Sequence, residues 1–247
     1  MTKLGSRFRT ASAAVLLAGV LACSVAATVT ARRAPQPPSV DLGSVGRLAT
    51  DAGSMAVDVT TTCPEGWSVV TARVTVTQPS GTGAAPFAVS CTGGYRVLTV
   101  DVPAQIGSFA LGNAQATAEL TIQRGKTQTA RDAGSLTVEP TVHARLADTG
   151  RLVGTGTAVA IELTVACPSG TTGRESYVAV SQGGQAIGRA FFTPTCDGRA
   201  RAMALTVQAS QGAFTAGSAI GDAFVVIDYG GDAFFGVDDR VLTLASG

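Results

Sequence analysis

The strongest constraint in this sequence is that most of it is written twice. Gly46-Arg47-Leu48 recurs as Gly150-Arg151-Leu152, and Cys63-Pro64-Glu65-Gly66 recurs as Cys167-Pro168-Ser169-Gly170, both 104 residues later. Residues 46–78 align with 150–182 without a gap, and 11 of the 33 positions are identical. After one inserted residue the register resumes: Cys91 and Gly93 match Cys196 and Gly198, and Phe109, Gly112, Ala114 and Ala118 match Phe214, Gly217, Ala219 and Ala223. Leu136-Thr137 matches Leu242-Thr243 near the end of each copy. A duplicated chain folds into two similar units, so any fold assigned must work in about 100 residues. The copies are read as residues 46–139 and 140–247, joined at Glu139-Pro140-Thr141.

Within each copy the hydrophobic period is two. Met55, Val57, Val59, Thr61 and Cys63 form one set, echoed by Val159, Ile161, Leu163, Val165 and Cys167. Period two puts such a set on one face of a strand. Similar runs occur at Ala72, Val74, Val76, at Leu98, Val100, Val102, and at Ala114, Ala116, Ala118, Leu120, Ile122. The last run leads to Gln-Arg-Gly-Lys; in the second copy its counterpart leads to Tyr229-Gly230-Gly231-Asp232, a hairpin signal. No segment after the first 31 residues carries a capped 3.6-residue period. About seven strands per copy, broken by Gly and Pro, predict an all-β fold of two tandem β-sandwich domains.

Each copy holds one cysteine pair, Cys63 with Cys91 and Cys167 with Cys196. Four cysteines allow three pairings, and the repeat favours bonding within each copy. That assignment requires an oxidising compartment.

The start of the chain agrees with such a destination. Lys3, Arg7 and Arg9 precede an uncharged stretch whose centre is Val15-Leu16-Leu17-Ala18-Gly19-Val20-Leu21-Ala22. Residues 1–31 therefore read as a signal segment, cleaved after Val29-Thr30-Ala31 to release a secreted protein. A second reading takes Leu21-Ala22-Cys23-Ser24 as a lipobox, with lipid on Cys23 making a membrane-anchored lipoprotein. A third leaves the segment uncleaved as an anchor. Residues 32–45, with three prolines in their first eight positions, read as an extended tether. Removal of residues 1–31 leaves 15 basic against 17 acidic groups. This mild negative balance argues against nucleic acid as a partner, and it leaves the membrane reachable only through the N-terminal segment.

Gly-Arg-Leu, an alternating strand ending in Cys-Pro-x-Gly, a Val-x-Val-x-Gln strand, Cys-x-Gly and Phe-x-x-Gly-x-Ala ahead of a long last strand occur in both copies. In these motifs the chain resembles the secreted immunoglobulin-like domains of unknown function found in actinobacteria. Sixteen Arg against two Lys and a single Asn fit the GC-rich genomes of that group. The resemblance implies tandem immunoglobulin-like sandwiches outside the cell and brings no activity with it. Antibody-type domains place their cysteines farther apart with a Trp between them on a central strand, whereas Trp67 falls four residues after Cys63 with no counterpart in the second copy.

Candidate sites are few. Asp228, Asp232 and Asp238 stand in an Asp-rich stretch that also holds Asp222 and Asp239, but without calcium-loop spacing. They are weak metal candidates, better read as turn and strand residues of a hairpin. No metal or other cofactor is expected. His143, the only histidine, has no nucleophile elbow to serve, so no catalytic residue is assigned and the chain is read as non-enzymatic. Gln78 and Gln182 are expected to bond exposed backbone at a sheet corner. Arg124, Lys126 and Arg131 form a basic cluster that could meet an anionic wall polymer. Phe191-Phe192 and Phe234-Phe235 are adjacent pairs, so one ring of each pair must face outward in a strand. Those four are the candidate contact patch. The expected role is extracellular binding or display, with a cell-surface protein or wall polymer as partner. A carbohydrate-binding module would need exposed aromatics in a row, and a hydrolase would need a convergent polar cleft.

Overall fold

The computed structural model describes residues 36–247. The signal segment, Cys23 and the start of the tether lie outside the described residues. Among the described residues there are strands and turns but no helix.

The first seven strands are β1 (Ser39–Leu48), β2 (Ser54–Thr62), β3 (Ser68–Gln78), β4 (Gly81–Pro86), β5 (Tyr95–Gly107), β6 (Gly112–Arg124) and β7 (Lys126–Pro140). They close into a barrel in the order β1-β2-β5-β4-β3-β6-β7, with β7 returning parallel to β1. Eight more follow: β8 (His143–Val153), β9 (Ala158–Ala166), the two-residue β10 (Thr172–Gly173), β11 (Ser176–Gln182), β12 (Ala186–Phe192), β13 (Arg201–Gln211), β14 (Gly217–Tyr229) and β15 (Asp232–Ala245). Apart from β10, which pairs only with β14, they repeat the same circuit, β8-β9-β13-β12-β11-β14-β15, again closed by a parallel pair, β15 with β8. The written repeat is thus a repeated topology.

Two expectations change. The sheets close into barrels where open sandwiches were expected, because β4 bridges β3 and β5 at one side and β1 bridges β2 and β7 at the other. In addition, residues 39–45, read as tether, belong to β1. Val40 is 4% exposed and packs in the core, so the prolines upstream do not set the behaviour of this stretch.

Each barrel is filled from the alternating sets. Met55, Val57, Val59, Val74, Val76, Leu120 and Ile122 fill the first, and Val159, Leu163, Val178, Val180, Val225 and Ile227 the second. Phe109 and Phe214, in matched loops, plug the two cores.

The shared motifs are scaffold. A Cβ on Gly46 would meet Met55 Sδ at 2.7 Å, and one on Gly150 would meet Val159 at 2.8 Å. The Gly of Gly-Arg-Leu is therefore where the strand runs closest to the core. At the other end, Cys63 and Cys167 follow β2 and β9. They bond Cys91 and Cys196, which lie in the β4–β5 and β12–β13 loops, with Cα atoms 4.4 and 4.9 Å apart. Gly93 and Gly198 adopt φ near +80° in these loops and donate their N–H groups to the Cys63 and Cys167 carbonyls. Left-handed backbone at that point explains the Gly of Cys-x-Gly.

Candidate functional site

On β14, Ala219, Ala223, Val225 and Ile227 point inward, so Ile220, Asp222, Phe224, Val226 and Asp228 stand on the outer face. The same alternation sends Tyr177 of β11, Phe191 of β12, and Phe235, Val237, Asp239 and Val241 of β15 outward. Because β12, β11, β14 and β15 are consecutive around the barrel, register decides which of these residues meet. Tyr177 lies opposite Phe191 on one side and Phe224 on the other. Phe224 lies opposite Val237, with Phe235 on the diagonal.

The result is a row of four rings across four strands. Tyr177 and Phe191 meet edge to face at 6.4 Å between centroids, while Tyr177–Phe224 and Phe224–Phe235 stack at 5.5 and 5.4 Å. The Arg189 guanidinium sits 4.3 Å from the Tyr177 centroid. Each such aromatic pair contributes about 0.5–1.5 kcal/mol beyond its burial, so the row is a rigid feature. It is also open to solvent: Phe191 is 58% exposed, Phe235 57% and Val237 66%. Ile220 and Val241, opposite each other further along the same two strands, are exposed as well. Exposed apolar side chains gathered in this way mark contact surfaces.

Between the row and that apolar pair lie Asp222 and Asp239, directly opposite each other across the ladder. Neither forms an ion pair among the described residues. Burial, together with the neighbouring Asp239 carboxyl, holds the Asp222 carboxyl above its ordinary pKa. Like charges facing across a ladder are destabilising.

Of the expected patch, Phe191 and Phe235 face outward and Phe192 and Phe234 pack against the core. Tyr177 and Phe224, which complete the row, were not foreseen. The repeat alignment carried a signal for them: they occupy the positions of Arg73 and Glu119 in the first copy, a complete change of chemistry between otherwise similar strands.

The remaining candidates are spread out. Asp228 accepts from Arg174 Nη2 at 2.6 Å, Asp232 sits exposed at the β14–β15 turn, and Asp238 accepts from Arg240 Nε at 2.8 Å and from the Leu146 N–H at 2.7 Å. Among the described residues no three His, Cys, Asp or Glu side chains gather as a metal site would need. His143 is exposed at the start of β8. The two glutamines do close corners: Gln78 bonds Ala110 N–H and the Ala110 and Asn113 carbonyls, and Gln182 does the same at Thr215 and Ser218.

On the matching face of the first barrel the row is charged. Arg73, Glu119 and Arg131 are consecutive across β3, β6 and β7, and with Thr71, Thr75 and Thr117 they line a groove of about 400 Å³. Arg73 and Arg131 are exposed and form no ion pair among the described residues.

No known protein family matches the sequence, and neither does any curated protein. Among solved structures, a tetra-tandem repeat from the extending region of a large adhesion protein overlaps 83% of this chain and 49% of its own at 16% identity and a TM-score of 0.29. A Ca²⁺-stabilised adhesin with which an Antarctic bacterium binds ice overlaps 87% and 50% at 18% identity and a TM-score of 0.27. Dimeric latent PorU from Porphyromonas gingivalis overlaps 86% and 20% at 12% identity and a TM-score of 0.34. This chain spans half or less of the length of those proteins, and overlaps this loose carry no functional inference.

Proposed function

We propose that the protein is an exported, non-enzymatic contact module of two tandem immunoglobulin-like barrels, and that it holds another protein through the aromatic face of the second barrel. One disulfide in each barrel and the basic-then-apolar N-terminal segment support export, since such bonds persist in oxidising compartments. The strand order, with its parallel first-to-last closure, supports the immunoglobulin-like reading.

The observation that carries the contact reading is the exposed row Phe191–Tyr177–Phe224–Phe235. A row of aromatics also favours a wall glycan as ligand. Sugars, however, stack on free ring faces, and here the inner two rings stand on edge. Phe224 is stacked between Tyr177 and Phe235, and Tyr177 lies between Phe224 and Arg189. Ring edges flanked by exposed Val237, Val241 and Ile220 suit the apolar centre of a protein interface.

The test is photocrosslinking on producing cells, with p-benzoylphenylalanine at position 235 and, as control, at the 63%-exposed Val97 of β5. The expected result is a discrete adduct from 235 alone, removed by protease and untouched by glycan-degrading enzymes. An adduct dissolved by the glycan-degrading enzymes, equal labelling at both sites, or none at all would overturn the reading.

A further inference from the structure

The two barrels carry opposite charges without ion pairs on their corresponding faces. In the first, Arg73 and Arg131 flank Glu119 across three strands, exposed and without an ion pair among the described residues. In the second, Asp222 and Asp239 face each other beside the aromatic row, equally unpaired, with Arg189 held over Tyr177. The positions correspond through the repeat: Arg73 with Tyr177, Glu119 with Phe224, Arg131 with Val237. The corresponding face is cationic and grooved in one copy, and acidic and aromatic in the other.

Resting on the reading of the aromatic face as a contact surface, we propose that its partner is a second copy of this chain. The Arg73–Glu119–Arg131 groove of one molecule receives the Phe224–Phe235 face of the next. Guanidinium groups pair with carboxylates, so Arg73 and Arg131 find partners in Asp222 and Asp239 on that face. The contact relieves the Asp222–Asp239 repulsion that the isolated barrel carries. The groove, at about 400 Å³, has the size of a small ligand pocket and offers room for the protruding Phe235 ring. The exposure of Phe191, Phe235 and Val237 means that no other described residue covers the face.

Such a contact is heterologous: the two surfaces differ, so each molecule uses one and offers the other. It propagates head to tail into rings or open chains, or closes reciprocally as a two-fold pair with two copies of the contact.

The test is sedimentation velocity on the full chain, recovered with its disulfides from an exporting host, over a wide concentration range. Wild type is expected to associate as concentration rises, and to dissociate as salt screens the charges. Asp239→Arg and Arg131→Asp each remove one surface and are expected to weaken assembly at least about tenfold. The double variant restores it. The decisive arm mixes the two single variants: Asp239→Arg keeps its groove, Arg131→Asp keeps its aromatic face, and their two altered surfaces match as in the double variant, so the mixture regains the association that neither variant shows alone. A chain that stays monomeric throughout, a wild-type dimer indifferent to both substitutions, or a mixture that forms nothing would overturn the proposal. If position 235 crosslinks to a different protein while the chain stays monomeric, the self-association fails and the contact reading stands. If neither experiment yields a partner, both fail.

Discussion

Asp238 offers the sharpest stability test, because its structural role repeats across the duplication. In β1 the register shifts between Leu42 and Gly46, and in β8 between Leu146 and Gly150, where each strand keeps its antiparallel neighbour and also begins to pair with a parallel one. The shift leaves one N–H without a ladder partner. Asp132 Oδ2 accepts it from Leu42 at 2.8 Å, and Asp238 Oδ2 accepts it from Leu146 at 2.7 Å. Asp238 also receives Arg240 through Nε and Nη2, and its side chain is 17% exposed. Asp238→Ala strands the Leu146 N–H and removes a charged acceptor, a loss of about 1.5–3 kcal/mol. Arg240 retains Asp148 at 2.6 Å, so the ion pair adds no more than about 1 kcal/mol. Recovery of the carboxylate's desolvation offsets part of this, for a net loss of about 2–3 kcal/mol and a fall in Tm of the second barrel of about 10–20 °C. Asp238→Asn, which keeps an acceptor without the charge, falls between.

The same side chain sets a pH signature. Burial alone would raise the Asp238 pKa, but Arg240 and the Leu146 N–H outweigh it and hold the pKa below the ordinary value. A depressed folded pKa contributes stability that is present above the unfolded pKa of about 3.9 and is lost as pH falls through the folded value. The advantage of wild type over Asp238→Asn is therefore full at pH 7 and closes below about pH 4. Calorimetry of the oxidised protein at neutral and acid pH measures both effects. A loss under about 0.5 kcal/mol for Asp238→Ala, equal losses for Ala and Asn, or a gap as wide at acid pH as at pH 7 would refute the bridging role.

Other outcomes follow from the same frame. Thr61 Oγ1 is buried without a hydrogen-bond partner among the described residues, and the matching residue of the second copy is Val165. Thr61→Val is expected to stabilise the first barrel by about 1 kcal/mol. Trp67, which packs on that core alone, reports the urea midpoint by fluorescence, and an unchanged or lowered midpoint would count against the reading. Replacing Cys167 and Cys196 together by Ala opens a 29-residue separation and is expected to cost the second barrel about 3.5 kcal/mol. The Trp67 transition should stay in place. A shift of both transitions together would show that the barrels do not hold their bridges independently.

The sequence announced the duplication, the all-β class and the cysteine pairs, since each is written in local periodicity or in the match between copies. The outward turn of Phe191 and Phe235 was equally legible, because adjacent aromatics in a strand must part. Closure into barrels was not. It depends on register shifts at Leu42/Gly46 and Thr82/Gly83 and on close approaches such as Gly83 against the Pro103 carbonyl and the Phe109 ring. The aromatic row was hidden for a related reason. It runs across the strands, and the pairing of Tyr177 with Phe224 joins residues 47 apart in sequence. The prolines before Ser39 masked β1, whose matched residue pair Leu42 and Leu146 marks the repeat as starting earlier than Gly46.

Hydroxyl-radical footprinting of the protein on its producing cells, set against the same protein purified and dilute, tests the contact face most directly. Phe191, Tyr177, Phe224 and Phe235 are expected to oxidise readily in dilute solution and to be protected at the cell surface. Tyr95, 78% exposed on the first barrel, should react equally in both and serves as the internal reference. Oxidation of the four rings to the same extent in both samples would contradict a face built to be covered.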